Sequence, residues 1–400
     1  MGIKGLSTLI ADTCPDAMKE HPIKSYFSRN IAIDASMCMY QFLIGIRGAG
    51  IGDLTNEAGE ITSHLQGLLS RTIKLLELGI KPVYVFDGKA PDLKSGELDK
   101  RKEKLKEAKE ELEKAEENGD DEAKNMYFKR TVRVTRDQAD EAKKMLKLMG
   151  IPVIEAPSEA EAQCAELVKT GKVFATGTED MDALTFGTSI LLRQLTNPEG
   201  KVREYNLEKI LEGMDITMDQ FIDICILCGC DYTDSIKGIG PKKALQYVKK
   251  YKDIEGVIKN MPAQHKVPDN FPLERVREIF KQPEVIKGDE VDLKWTEVDE
   301  KGLTEFLVTG KKFNETRIAN AIDKLRASQK QASQGRLDSF FQVVGKSTSS
   351  TLEKNKKAAE LAKKKGKKGA SSAAAKNKAG SGTKRKREEG SSSSKKLKKE

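Results

Sequence analysis

Seven carboxylates in this 400-residue chain stand where they could do metal chemistry. Asp34 ends the apolar run Asn30-Ile-Ala-Ile-Asp34, and Asp87 ends Lys81-Pro-Val-Tyr-Val-Phe-Asp87. Glu159 and Glu161 lie in Ala156-Pro-Ser-Glu-Ala-Glu161 after a third apolar stretch, and Asp180 and Asp182 lie in Thr178-Glu-Asp-Met-Asp182 after a fourth. Asp231 follows an apolar run that carries Cys225, Cys228 and Cys230. Each acid alone has an ordinary reading. Asp34 and Asp87 could cap the next element, Ser158 and Glu161 fit a capping box, and residues 178–182 could be a solvated loop. As a set they differ, because carboxylates gathered at one sheet edge repel strongly unless cations neutralise them. The three histidines, His21, His64 and His265, fall outside these segments. An all-oxygen site favours Mg²⁺, with Mn²⁺ as the alternative, over zinc. Two such ions orient a water and stabilise the attacking and leaving oxygens of a phosphodiester. No Walker P-loop is present, which argues against an ATPase. Phosphodiester hydrolysis is therefore the expected reaction. Lys94 and Arg101 are separated by about two helical turns and so share a face, from which they could offset charge at the scissile phosphate.

The elements that must position these groups read as an α/β fold with a mainly parallel central sheet flanked by helices. Strands are expected over residues 30–34, 81–86, 151–155 and 172–176, each followed by an acid, since ligands of open α/β sheets bind beyond the strands' carboxyl ends. Leu65, Leu68, Leu69, Leu75, Leu76 and Leu78 give residues 63–79 the spacing of a crossover helix that stops at Gly79. Residues 89–136 are rich in Lys, Glu and Ala. Leu98, Leu105 and Leu112 recur every seven positions, a weak coiled-coil seam that Asn118-Gly119-Asp120 interrupts. A long helical insertion arching over the strand ends is the reading adopted. After Asp231 the chain turns helical, with a tight Gly238-Ile-Gly240-Pro241-Lys242-Lys243 turn.

The bulk properties fit this frame. A hydrophobic content of 38% is enough for a sizeable core, and no apolar run suggests a membrane span or a signal peptide. Six cysteines imply no disulfide framework, and those at 225, 228 and 230 read as lining one apolar helix, with no fourth ligand to complete a zinc site. The net charge of +9 is unevenly placed. Residues 346–400 hold 19 Lys and Arg against 5 Asp and Glu, a local +14 that leaves residues 1–345 at −5. An acidic body that binds DNA must segregate basic tracks from its carboxylates.

Ile33-Asp-Ala-Ser36, Val85-Phe-Asp-Gly88, Ala156-Pro-Ser-Glu-Ala-Glu-Ala162, Thr178-Glu-Asp-Met-Asp182 and Gly229-Cys-Asp-Tyr232 together resemble the signature segments of the flap endonucleases, within the structure-specific 5′ nuclease superfamily. The opening Met1-Gly-Ile-Lys-Gly-Leu6 resembles that family's N-terminus, and the likeness runs to about Phe341. The resemblance implies a 5′ flap endonuclease with 5′-3′ exonuclease activity on branched DNA, in lagging-strand maturation and base-excision repair. It assigns Asp34, Asp87, Glu159, Glu161, Asp180, Asp182 and Asp231 to two metal ions, and Lys94 and Arg101 to the reacting phosphate. Residues 89–136 correspond to the helical arch that the 5′ arm threads. Gly2, Tyr40, Arg47, Thr62, Arg71, Glu159, Gly229 and Asp231 match DNA-contacting positions, Tyr40 stacking on a base, Arg47 and Thr62 lying near a pocket for a one-nucleotide 3′ flap. Gly238, Gly240, Lys242 and Lys243 fall in a helix–two-turn–helix that grips the duplex, where K⁺ would meet main-chain oxygens of Ser235, Ile236 and Ile239. Cys230 departs from the Ser of some relatives, with the neighbouring acid retained.

The implied organisation is a nuclease core over residues 1–332, in which residues 1–106 form an N-terminal nuclease region and residues from about 122 to 260 an internal one. A clamp-binding peptide over 333–345 follows, and then a tail over 346–400 whose composition reads as disordered. Gln334, Leu337, Phe340 and Phe341 fit the pattern Q-x-x-L-x-x-F-F, for which the expected partner is the sliding clamp, proliferating cell nuclear antigen. Lys384-Arg-Lys-Arg387 and Lys395-Lys-Leu-Lys-Lys399 read as a bipartite nuclear address. The chain is expected in the nucleoplasm, with nucleolar and mitochondrial pools as further locations, and as a monomer by itself. Two alternatives remain: an exonuclease 1-like or junction-resolving relative, and a noncatalytic clamp-associated DNA-binding scaffold.

Overall fold

The computed structural model describes residues 2–48, 54–56, 59–197, 199–268 and 271–330, all within one compact unit. The clamp-peptide residues Gln334, Leu337, Phe340 and Phe341 and the basic tail lie outside the described residues.

A seven-stranded sheet forms the centre: β1 (Met18–Pro22), β2 (Asn30–Asp34), β3 (Lys81–Phe86), β4 (Val153–Glu155), β5 (Ala175–Gly177), β6 (Ile190–Arg193) and β7 (Lys201–Asn206), in the order β1-β7-β6-β5-β2-β3-β4. From β6 to β4 the neighbours run parallel, and β7 and β1 add an antiparallel edge. The fold is the α/β class read from the sequence. β2 and β3 are both central and almost wholly buried, hence their near-continuous apolar runs. The first crossover helix, Ser63–Glu77, buries Leu65, Leu68, Leu69, Ile73 and Leu75 against the sheet, and its chain reverses at Gly79.

One strand lies later than its sequence pattern. The expected run 172–176 becomes β5 at Ala175–Gly177, because the amides of Lys172 and Val173 close the preceding helix on the Leu167 carbonyl.

The insertion is a pair of helices, Ser95–Glu117 and Asp121–Arg130, joined where Asn118-Gly119-Asp120 interrupts the leucine spacing. Asp120 caps the second helix by accepting from the Ala123 amide. Ala108 and Ala115 are buried while the rest of the first helix is largely exposed, so the segment is a solvated hairpin with a narrow seam. Helix Met218–Cys228 buries Cys225 and Cys228 in the core. The chain then passes through residues 229–240 into helix Pro241–Tyr251. Among the described residues, no helix is long and apolar enough to cross a membrane.

Candidate active site

The parallel register brings the acids together. Asp34 and Asp87 sit at or just past the carboxyl ends of adjacent strands, so the two side chains emerge at the same sheet edge. The edge opens into a cleft of about 1550 Å³ lined by Asp34, Asp87, Glu159, Glu161, Asp180 and Asp231, with arch residues forming the opposite wall.

The ordinary reading of Asp34 holds alongside the chemical one, while Asp87 bonds a helix far along the chain and not the next element. Asp34 Oδ1 accepts from the Met37 amide at 2.9 Å, capping helix Ala35–Gly48, and its Oδ2 accepts from the Thr178 hydroxyl at 3.1 Å. Asp87 Oδ1 accepts from the Ala160 amide at 2.9 Å, at the start of helix Ala160–Lys169. The capping box on Ser158 and Glu161 does not form: Glu159 takes the N-cap position without a side-chain cap, and Glu161 faces the cleft. Segment 178–182 is not a solvated loop either. Asp180 and Asp182 are 4% exposed, tied by Asp180 N to Thr178 Oγ1 and Asp182 N to Asp180 Oδ1. Glu179 reaches away to Arg193 and the Gln194 amide, anchoring the loop to the end of β6.

The electrostatics follow from this crowding. Burial, then the nearby charge of Asp87, pushes Asp34 up to about 7 against the opposing bonds from Met37 and Thr178. Burial and the charges of Asp34, Asp87 and Asp180 raise Glu161 well above the usual carboxylate range. Asp182 is raised by burial and by Asp180 and Asp231. Two cations of the chain offset part of the charge. Lys94 Nζ lies 2.5 Å from Glu159 and 3.2 Å from Asp231, and Arg101 Nη2 lies 2.7 Å from Asp231. Burial pulls the Lys94 pKa down, but Glu159, Glu161 and Asp231 outweigh it and the net shift is upward.

The donor set fits divalent ions. All of its donors are oxygens, burial and then neighbouring negative charge raise three of its acids, and buried Asp182 Oδ1 has no hydrogen-bond partner among the described residues. Among those residues no three His, Cys, Asp or Glu side chains close on a single point as the structure stands; Lys94 and Arg101 lie against Glu159 and Asp231 instead.

Tyr232 ends the Gly229-Cys-Asp-Tyr232 segment, whose sequence assigns it no role. Its buried hydroxyl donates to Glu159, the same carboxylate that holds Lys94. Only the three-dimensional contact reveals this, since the two residues are 73 positions apart. Gly2 also touches the acids: a Cβ there would lie 2.0 Å from Asp180 Oδ1 and 2.1 Å from Asp182 Oδ1. Tyr40, half-buried, lines the cleft, as does Gly229 at the end of helix Met218–Cys228. The other sequence candidates lie apart from the acids. Arg47 stacks on the Phe128 ring at 4.1 Å and donates to Phe128 O and Thr131 Oγ1, joining helix Ala35–Gly48 to the arch. Thr62 is 1% exposed, its hydroxyl directed at Leu54 O. Arg71 braces Cys38 O at 2.6 Å, packed near the Phe42 ring.

Beyond Asp231, Gly238 and Gly240 form an exposed turn before helix Pro241–Tyr251, which starts without a side-chain cap. Lys242 pairs with Asp12, and Lys243 donates to Gly238 O at 2.9 Å. Ile236 and Ile239 are buried, and the Ile239 amide bonds the Ile236 carbonyl at 3.1 Å.

Comparison with known proteins agrees with this geometry. The XPG N-terminal domain matches residues 1–108 and the XPG I-region matches residues 150–231. Flap endonuclease 1 of Naegleria gruberi is 56% identical over 86% of this chain and 90% of its own. That of Danio rerio is 53% identical over 91% and 96%. Among solved structures, flap endonuclease-1 from Methanococcus jannaschii superposes with a TM-score of 0.62 at 33% identity, covering 80% of this chain and 98% of that one. The catalytic core of Rad2 in complex with DNA substrate superposes at 0.63 with 26% identity, covering 81% and 100%. With both XPG regions matched and identity above half over most of its length, this chain belongs to the flap endonuclease 1 family and is a nuclease.

Proposed function

We propose that the chain is a 5′ flap endonuclease, with 5′-3′ exonuclease activity, that hydrolyses branched DNA by a two-metal route in Okazaki-fragment maturation and long-patch base-excision repair. The observation that carries this reading is the meeting of six acids, Lys94 and Arg101 at one cleft beneath the arch, with Asp182 buried beside them and feeling the charges of Asp180 and Asp231. Asp34, Asp87, Glu159, Glu161, Asp180, Asp182 and Asp231 would hold the ions, Mg²⁺ by preference, with Mn²⁺ able to replace it. When bound, such ions supply positive charge at the phosphate and a water acidic enough to attack it.

The chain's own groups do the rest. The Met37 amide and Thr178 hydroxyl fix Asp34, the Ala160 amide fixes Asp87, and Tyr232 fixes Glu159. Lys94 and Arg101 are cations on flexible stems that can turn from the carboxylates to the developing charge of the scissile phosphate. The cleft lies between sheet edge and arch, so a single strand reaches the acids while a rigid duplex is held outside. Tyr40 offers a ring for stacking a base beside the cut. The exposed turn at Gly238 and Gly240 lets a duplex phosphate approach the backbone, and the free amides opening helix Pro241–Tyr251, with Lys242 and Lys243, attract it. K⁺ at the carbonyls of Ser235, Ile236 and Ile239 would stiffen the same turn. Arg47 and Thr62 belong in this reading to the 3′-flap side of the junction, with Thr62 shaping it from beneath, and Arg71 to the wider DNA-binding set.

Gln334, Leu337, Phe340 and Phe341 would dock the enzyme on proliferating cell nuclear antigen, and the Lys/Arg clusters of the tail would direct it to the nucleus. The decisive experiment digests an end-labelled double-flap substrate with and without chelator and maps the cut, beside a nicked duplex and a four-way junction. The expected outcome is chelator-sensitive cutting at the flap base, with Asp180→Ala inactive yet still binding flap. Preference for the four-way junction, or full cutting by Asp180→Ala, overturns the reading.

A further inference from the structure

His265 lies in the loop between helices Ile254–Asn260 and Leu273–Lys281, and its ring is buried against the turn at Lys237 and Gly238. Its Nδ1 is 2.9 Å from the Lys237 carbonyl oxygen. A carbonyl only accepts, so Nδ1 carries the proton and donates. The ring also sets the shape of the next residue. A Cβ on Gly238 would meet His265 Cε1 at 2.7 Å and Nδ1 at 2.8 Å, and Gly238 holds φ at +85°. From the other side, Lys243 Nζ donates to the Gly238 carbonyl. The two carbonyls of the turn are thus tied back into the protein, and the outward face at Lys237, Gly238 and Gly240 is left exposed.

The far side of the ring argues that filling space is not its purpose. His265 Nε2 is buried without a hydrogen-bond partner among the described residues. An unsatisfied buried nitrogen is a cost that an aliphatic side chain would avoid. What the imidazole alone contributes at this place is the bond to Lys237.

We propose that His265 is a positioning residue for duplex binding: it holds the Lys237 and Gly238 turn in the shape that receives a DNA phosphate, and touches no DNA itself. This rests on the reading that the turn grips the duplex behind the cut. The backbone at Gly238 has a left-handed conformation that it could leave in many directions, so without its tie the turn spends part of its time in shapes that offer no such seat.

The test uses the full-length enzyme and two flap substrates, one with a duplex long enough to reach the turn and one too short. His265→Leu keeps the volume and removes the donor. His265→Asn places an amide N–H near the position of Nδ1. For His265→Leu, KM on the long-duplex flap rises about five- to tenfold, the value of one hydrogen bond, while kcat at saturation and all parameters on the short-duplex flap stay within about twofold of wild type. His265→Asn recovers most of the lost affinity. His265→Phe, which keeps a ring of similar size but has no donor, raises the long-duplex KM in the same way and supplies the reading should His265→Leu fail to fold. An unchanged long-duplex KM in His265→Leu, an equal loss on both substrates, or no recovery in His265→Asn overturns the proposal. Wild-type enzyme that binds both substrates equally would instead sink the duplex-gripping role of the turn, and this inference with it.

Discussion

Replacing Asp34 by Asn should stabilise the metal-free protein while destroying its activity. Asp34 is 3% exposed, and burial together with the Asp87 charge moves its pKa from 3.8 to about 7. Below pH 4 the carboxyl is protonated in folded and unfolded chains alike, and the folded state keeps whatever this site contributes. As pH rises toward 7 the unfolded chain ionises first, so the folded state binds more protons and stability is progressively lost. Each pKa unit is worth 1.36 kcal/mol, so the full loss above pH 7 approaches about 4 kcal/mol before water entry and side-chain movement reduce it. Asn cannot ionise, yet its carbonyl can still accept from the Met37 amide and its NH₂ can donate to Thr178.

The assay is thermal unfolding of chelated protein from pH 5 to pH 8. Wild type should lose stability across this window, and Asp34→Asn should lose less and melt several degrees higher at pH 8, at about 2–4 °C per kcal/mol. Added Mg²⁺ should then raise the wild-type midpoint, since a ligand that binds only the folded state stabilises it, and should raise the variant much less. Flap cleavage by the variant should fall by at least roughly a hundredfold. Equal pH slopes for the two chelated proteins would refute the reasoning, whatever happened to activity.

Two further outcomes follow from close contacts. Gly2→Ala places a methyl 2.0–2.1 Å from carboxylate oxygens of Asp180 and Asp182, so kcat for flap cutting, measured at saturating flap, should drop about 10–100-fold. Arg277 donates to both oxygens of buried Asp223 at 2.7 Å and also to Glu255, joining helix Met218–Cys228 to Leu273–Lys281 and Ile254–Asn260. Arg277→Met leaves buried Asp223 without its ion pair, and urea unfolding should show a loss of about 3–5 kcal/mol, largely recovered by adding Asp223→Asn.

The parts legible in the sequence are those whose signal is local. β2 and β3 announce themselves as buried runs ending in an acid, and helix Ser63–Glu77 by its leucine spacing. Parallel pairing then places Asp34 beside Asp87 with little freedom. The edge strand β1, Met-Lys-Glu-His-Pro, is polar at Lys19, Glu20 and His21 and has no alternation to betray it. It exists because β7 offers it a ladder. Likewise the extended segment near Trp295, whose indole donates to the Pro82 carbonyl, has no periodicity and is placed by its contacts with the sheet. The supports of the site escaped for the same reason: Tyr232 on Glu159, Thr178 on Asp34 and Arg193 on Glu179 are pairings that no local pattern marks. Thr62, carried as a DNA contact, sits beneath the surface because its hydroxyl is turned to Leu54 O.

The balance of charge among the acids supports the proposal of two ions rather than one. Seven carboxylates against Lys94 and Arg101 leave five negative charges, and the raised pKa values of Asp34, Glu161 and Asp182 mean that protons take up part of this excess when nothing else does. One divalent ion would leave three charges to be carried in a low-dielectric pocket, whereas two would leave one. The acids also divide by which neighbours raise them. Glu161 feels Asp34, Asp87 and Asp180, while Asp182 feels Asp180 and Asp231. Asp180 is common to both groups, so it would lie within reach of whatever cations the two groups hold. With cations held by the acids, Lys94 and Arg101 would no longer be needed as counterions for Glu159 and Asp231, and their side chains would be free to turn toward a phosphate.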